Sequence, residues 1–383
     1  MRAAVTTLNP VVQLSRNTGL QAEVSGEVEG QRVAGGCRAA LRYVRGNGAA
    51  RRRGPEAGYN TQMIYRRFGR VGTPVAEIGI GTWGMGGWSG SDDEASKAAL
   101  RRCLESGCNF LDTARAYGNG RSEALIGSVL AGWTGAAPFV ATKIPPKNGQ
   151  WPARAEYPLD AVFPADHIRS STEQSLAALG VASLDLQQFH VWTDAWADDE
   201  RWQRAVADLK SEGLVKAVGI SVNRWEPANV LRALRTGLID AVQVVYNIFD
   251  QAPEDELFPL CQELGVAVIA RVPFDEGSLT GTMTVDDTWP QGDWRNLYFT
   301  PENLRETLAR VDRVKADLPS GMDLPDLALR FILHHPAVTT VIPGMRTVRH
   351  VEKNVAVSDG NPFPVNLLSA MRMHRWDRDS VIP

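Results

Sequence analysis

From Met63 onward the chain alternates between two kinds of pattern. Short Val/Ile/Leu-rich runs are separated by longer stretches whose apolar residues recur at helical spacing. Residues 64–76 read as a hairpin, with two apolar–polar alternations around the turn formers between Gly69 and Pro74. Residues 75–82 follow as a buried strand. Further strands are predicted at 109–111, 139–143, 184–190, 215–221, 241–246, 266–272 and 338–342. Helices are predicted at 92–106, 121–131, 165–179, 198–212, 225–235, 253–264, 301–315, 325–334 and 348–355.

This gives eight strands, each followed by a helix. The strands are continuous apolar runs, as parallel strands covered by helices on the outside should be. Eight such units predict a single closed (β/α)8 barrel over residues 63–383, with an N-terminal hairpin and extra C-terminal helices. In that architecture a site is built at the carboxyl ends of the strands, and there the polar residues Thr82, Asp112, Lys143, His190, Ser221, Gln243 and Arg271 fall. Two long connections, 144–164 and 273–300, carry Trp151, Tyr157, Trp289, Trp294 and Tyr298 and belong on the same end, where long loops serve as walls or lids.

Residues 1–62 differ from the rest. They hold nine Arg, no Lys, four Glu and no Asp, without sustained periodicity. Such a segment buries too little apolar surface to offset its conformational entropy. It is expected to be a disordered arm, either translated from a start codon placed upstream of Met63 or, as a second choice, a transit segment. A net charge of -3 gives no reason to expect nucleic acid, and no apolar run approaches the roughly 18 residues needed to span a bilayer. The four cysteines, Cys37, Cys103, Cys108 and Cys261, have neither metal nor disulfide-framework spacing, which points to a reducing cytoplasm and no metal site.

Asp112, Tyr117, Lys143 and His190 form the candidate catalytic group. A phenol with a pKa near ~10 is a poor proton source at neutral pH, and a neighbouring ammonium lowers it. A buried lysine needs a carboxylate partner, which Asp112 can be. A histidine on the next strand end can orient a carbonyl. Together these residues can protonate an oxygen that becomes an alkoxide during hydride reduction. Each also has a plainer reading: a cap, a rim aromatic, a solvated strand-end charge. The run from Gly79 to Gly84 matches G-x-G-x-x-G, but no helix opens inside it and Trp83 is too bulky for a phosphate turn, so a Rossmann site is rejected. Residues 341–350 run from a strand through Pro-Gly into a helix start with Arg346 and Arg349, a setting that favours an anion, although on this stretch alone plain helix initiation with solvated arginines is the better reading.

Six motifs in order bring a family into view: G-T-W-G at Gly81, D-T-A-R-A-Y-G at Asp112, T-K at Thr142, L-D-L-Q-Q-F-H at Leu184, Q-V-V-Y-N at Gln243 and I-P-G-M-R at Ile342. From Met63 to about Val355 the chain resembles the aldo-keto reductases, (β/α)8 barrels that reduce carbonyl compounds with NADPH. The resemblance implies Tyr117 as general acid, Lys143 as modulator of its pKa, Asp112 as the lysine's partner and His190 as the orienting group. It further implies cofactor contacts at Gly81, Thr82, Ser221, Asn223, Gln243, Arg271, Phe274, Gly277, Leu279, Gly281, Gly344, Arg346, His350 and Asn354. Arg346 would meet a 2′-phosphate, favouring NADP(H) over NAD(H). Trp83 and Trp192 would line an apolar substrate pocket. The partner implied is a small carbonyl compound, with no nucleic acid or membrane, and the oligomeric state is left open. Two rival functions stand beside this one: a cofactor-sensing regulatory subunit on the same barrel, and a Schiff-base lyase using Lys143. The chain departs from the family pattern at Asn223, which follows Ser221 by two positions instead of one. It departs again at Arg271, where an aromatic commonly stacks on the nicotinamide, and at His350, where glutamine is commoner.

Overall fold

The computed structural model describes residues 52–53, 63–87 and 90–378. The expected N-terminal arm therefore lies outside the described residues, apart from β1 (Arg52–Arg53), which pairs antiparallel with β2 (Ile64–Arg67). β2 pairs in turn with β3 (Pro74–Ala76), completing the hairpin sheet. The barrel strands are β4 (Ile80–Gly81), β5 (Phe110–Asp112), β6 (Phe139–Ile144), β7 (Leu186–Phe189), β8 (Val218–Ser221), β9 (Ala241–Val245), β10 (Ala267–Arg271) and β11 (Val338–Val341). All neighbours are parallel, and parallel bridges from Ile78 to Val341 and from Gly81 to Gly344 close the sheet into a barrel.

The helices are α1 (Asp93–Glu105), α2 (Arg121–Leu130), α3 (Leu159–Val162), α4 (Ala165–Leu179), α5 (Glu200–Ser211), α6 (Leu231–Arg235), α7 (Leu257–Leu264), α8 (Arg295–Tyr298), α9 (Pro301–Ala316), α10 (Leu324–His334), α11 (Val348–Val355) and α12 (Val365–Arg372). Their starts follow local chemistry. Asp92 accepts from the Ala95 amide and caps α1, Asp199 caps α5, and Thr347 caps α11. No helix among the described residues is long and apolar enough to cross a membrane.

Two predicted elements need correcting. The strand expected at 75–82 is two strands with a crossing between them. Glu77 gives its amide to Ile64 in the hairpin and its carbonyl to Val341 in the barrel, so the chain changes sheets there. The helix expected at 225–235 starts only at Leu231, because Trp225 has φ +59° and the first-turn amides of Arg232 and Ala233 are taken by Asp194 from the loop after β7.

Inside the barrel Phe110, Phe139, Ala141, Leu186, Ala217, Ala241, Ala267, Ile269 and Ile342 pack together, and Phe68 and Val75 from the hairpin join them. Phe68 lies 4.6 Å from Phe139, centroid to centroid, so the hairpin plugs one end. A larger apolar layer fills the space between strands and helices.

Candidate active site

Side chains alternate faces along a strand. Two residues beyond the interior apolar layer, the same inward face therefore carries Asp112, Lys143, Gln188, Gly219, Gln243 and Arg271, and after a further step His190 and Ser221. The carboxyl mouth of the barrel is thus polar above an apolar floor.

The Lys143 ammonium sits at its centre, fully buried. Nζ donates to Asp112 Oδ1 and Oδ2 at 2.9 and 2.8 Å, to the Thr113 carbonyl at 2.8 Å, and to the Tyr117 hydroxyl at 3.4 Å. Asp112 also accepts from Gln243 Nε2 at 2.8 Å. The His190 ring stands edge-on to Tyr117, with centroids 5.6 Å apart. Tyr117 is held by a tight turn. Gly118 has φ +62°, and a Cβ there would lie 2.0 Å from the Gly86 carbonyl, so only glycine lets the tyrosine loop close on the loop after β4. Thr82, Thr113 and Ser122 lock the same end. Thr82 Oγ1 donates to the Asp112 carbonyl at 2.8 Å, and Ser122 Oγ lies 2.7 Å from Thr82 Oγ1 and 2.9 Å from Thr113 Oγ1.

Burial raises the Tyr117 pKa above the ordinary phenol value, the Lys143 charge opposes this, Asp112 adds to it, and Arg271 lowers it. The phenol therefore keeps its proton at neutral pH. Burial drives His190 well below its usual range, helped by Lys143 and Arg271, so its imidazole is neutral. His190 Nδ1 is buried without a partner.

The other expected residues divide. Ser221 and Gln243 are register partners at the mouth. Arg271 reaches across it, with Nη2 donating to the Val222 carbonyl at 2.9 Å, and burial lowers its pKa to about 10, which leaves it charged. Gly277 and Gly281 take left-handed turns in the loop after β10, while Phe274 packs on the apolar layer and the Leu279 side chain is inside it, leaving only backbone to face a ligand. The two acids at the start of that loop are each met by an arginine: Glu276 by Arg224 and Asp275 by Arg378 from the C-terminal tail. Gly344 bridges to Gly81. Arg346 crosses over Gly84, where a Cβ would lie 2.9 Å from Arg346 Cδ. His350 is exposed; slight burial and then the charges of Arg346, Arg349 and Lys353 lower its pKa, marking a cationic patch along α11. Asn354 is buried on the same helix.

Two expectations fail on geometry. Trp192 is 0% exposed and packs edge-to-face on Trp196 and Trp202 and tilted on Phe189 in the layer outside the strands, so it lines no pocket. Asn223 spends its amide on the Ala153 carbonyl and Glu226, both at 3.0 Å, and its oxygen accepts from the Trp192 amide. It clasps two loops and does not face the mouth. The aromatic wall comes instead from Trp151, 47% exposed, whose ring stands perpendicular to His190 at 4.6 Å; Trp83 is exposed at the rim. The sequence reading also passed over Gln188. It is fully buried beside Lys143, and neither end of its amide has a partner among the described residues; its spacing of two from His190 was the available signal.

These features fit a nicotinamide dinucleotide on several counts. There is a polar mouth with orphaned donors, an open position at Gly344, a glycine-turned loop with neutralised acids, and a cationic patch at a helix start.

Sequence comparison matches the model of the "Aldo/keto reductase family" to residues 77–375. Aldo-keto reductase YhdN of Bacillus subtilis (strain 168) is 28% identical, over 76% of this chain and 87% of that protein. An NADH-specific methylglyoxal reductase of Escherichia coli (strain K12) is 29% identical, over 77% and 93%. Among solved structures, the holo form of aldo-keto reductase AKR11C1 from Bacillus halodurans superposes with a TM-score of 0.65 at 26% identity, covering 82% of this chain and 96% of that one.

Proposed function

The chain belongs to the aldo/keto reductase family of oxidoreductases, and from that premise we propose that it reduces an aldehyde or ketone with NADPH, using Tyr117 as the general acid. The observation that carries this reading is the Lys143 ammonium held between the Asp112 carboxylate and the Tyr117 hydroxyl. When bound, the reduced nicotinamide supplies the hydride. Tyr117 gives its proton to the carbonyl oxygen as negative charge develops there, and Lys143 stabilises the phenolate left behind. Asp112 keeps the buried ammonium paired, and Gln243 orients Asp112. Neutral His190 aligns the carbonyl by a hydrogen bond, and Trp151 and Trp83 shelter the site from water.

Arg346, with Arg349 and Lys353 nearby, supports a phosphate-bearing adenosine and therefore NADPH. The E. coli relative, named for NADH, is the reason to test this directly. The lyase reading is weaker. Forming a Schiff base would require stripping Lys143 from three close acceptors and leaving Asp112 buried without its counter-ion. A cofactor-sensing role leaves the protonated tyrosine without a task.

Fluorescence titration of wild type and Arg346→Ala with NADPH and NADH is the test. NADPH binding that Arg346→Ala weakens selectively, by about tenfold or more for a lost charge-assisted contact, supports the reading. Failure of the folded protein to bind either cofactor ends it.

A further inference from the structure

Arg271 stands among the expected cofactor contacts, but the reductase reading gives its charge no task. It lies inward at the end of β10, yet its Nη2 reaches the carbonyl of Val222 just beyond β8. The side chain therefore spans the width of β9, above Gln243, which pairs with Ser221 on one side and Ile269 on the other. Its Nε is buried and meets no acceptor. The acid of the adjoining loop, Glu276, is engaged by Arg224, and no ion pair of Arg271 is found among the described residues. Arg271 is half-buried, and holding even part of a guanidinium out of water without an ion pair is unfavourable, so its position calls for a role in the mouth.

The mouth has two sides. Tyr117, Lys143 and His190 come from β5, β6 and β7 with their loops; the guanidinium covers β8 to β10. A reactive complex must hold the carbonyl oxygen within hydrogen-bond reach of the Tyr117 hydroxyl and, at the same time, the carbonyl carbon about 3–3.5 Å from the hydride-donating carbon. The nicotinamide ring must then lie a few ångströms from that hydroxyl, between it and the opposite wall. The charge of Arg271 reaches Tyr117 and His190, so it reaches a ring placed between them. The reduced ring is neutral, and the oxidised ring is a pyridinium cation.

We propose that Arg271 discriminates between redox states of the cofactor: a fixed cation beside the nicotinamide ring that weakens binding of NADP+ relative to NADPH. The site thereby favours carbonyl reduction and release of the spent cofactor. This inference rests on the reductase reading. Two unit charges about 5–6 Å apart in a site of effective dielectric near 20 repel enough to change relative affinity on the order of 100- to 300-fold.

The experiment is a pair of fluorescence titrations, NADPH and NADP+ separately, on the full-length wild type, Arg271→Gln and Arg271→Lys, with circular dichroism confirming the fold. The ratio of the Kd for NADP+ to that for NADPH is expected to fall about 100- to 300-fold in Arg271→Gln and to stay near wild type in Arg271→Lys, which keeps the charge. Should the glutamine variant fail to fold, Arg271→Met takes its place in the same titrations. An unchanged ratio in the neutral variant overturns the proposal while leaving the reductase reading intact, even if the KM of carboxylate-bearing carbonyl compounds rises. Loss of the ratio in the lysine variant as well overturns it too, since charge would not be the cause. If the wild type binds neither form, the reductase reading itself fails and this inference falls with it.

Discussion

At the scale of single residues, the buried ion pair of Lys143 and Asp112 sets the state of everything around it. Tyr117→Phe removes only a hydroxyl at 3.4 Å, so it should leave stability and NADPH affinity nearly unchanged while lowering kcat by about 10²- to 10⁴-fold, as single-turnover reduction would show. Lys143→Met strands the Asp112 carboxylate in the barrel. It should destabilise the fold by about 3–5 kcal/mol in denaturant titration, besides abolishing activity. The histidine makes a separate prediction. Its folded pKa lies well below the unfolded value of about 6.5, so below that pH the unfolded chain binds the additional proton. The contribution of His190 is thus fully present above pH ~6.5 and is lost as pH falls below it, by up to about 1.4 kcal/mol per pH unit. Denaturation midpoints measured from pH 7 to pH 5 should decline less steeply in His190→Asn, and an equal slope in both proteins would contradict the placement of a neutral imidazole. Asp112, Lys143 and His190 were legible in the sequence because each ends an apolar strand on its inward parity. Asn223 misled because its partners, Ala153 and Glu226, lie in loops whose paths no periodicity records.

At the scale of elements, strand parity decides what a residue near the site touches. Trp192 lies two residues past His190, but the chain has left the strand there and the ring turns outward into the helix layer. Trp151, 41 residues before Trp192, arrives from the loop after β6 to stand on His190. The two tryptophans should therefore respond oppositely. Trp192→Ala should cost about 3–5 kcal/mol of stability with little change in cofactor affinity. Trp151→Ala should leave the melting curve in place and change KM for the carbonyl substrate. Thermal melts beside steady-state kinetics on both variants separate the cases. Helix extents were legible where caps are local, as at Asp92 for α1. They were not legible for α6, whose first-turn amides are satisfied by Asp194 from another loop.

At the scale of the whole molecule, the hairpin closes one end of the barrel and the C-terminal segment crosses the other. Trp376 donates its amide to the Phe249 carbonyl after β9, Arg310 of α9 stacks on its ring, and Arg378 meets Asp275 in the loop after β10. The tail thus ties together the loops after β9 and β10. We propose that residues 1–62 are dispensable to the barrel, since Phe68 and Val75 of the hairpin already plug its end and removal would cost the pairing of β1 with β2 but no barrel strand. A chain starting at Met63 should melt within a few degrees of the full-length protein, equivalent to less than about 1 kcal/mol. A large drop in Tm would show that the N-terminal region contributes to the fold.

The sequence by itself determined the eight-fold alternation of strand and helix, and with it the barrel. It also determined which polar residues stand at strand ends, because a period of two fixes the inward face of each strand and six motifs fix their order. Only the tertiary structure decided what those residues meet: that Lys143 binds three acceptors at once, that Gln243 props Asp112, that Arg271 crosses the mouth without an ion pair among the described residues, and that Trp151 replaces Trp192 as the wall. The physical reason is that backbone periodicity is local, whereas the partner of a buried charge or an aromatic face comes from loops distant in sequence, brought together only when the barrel closes.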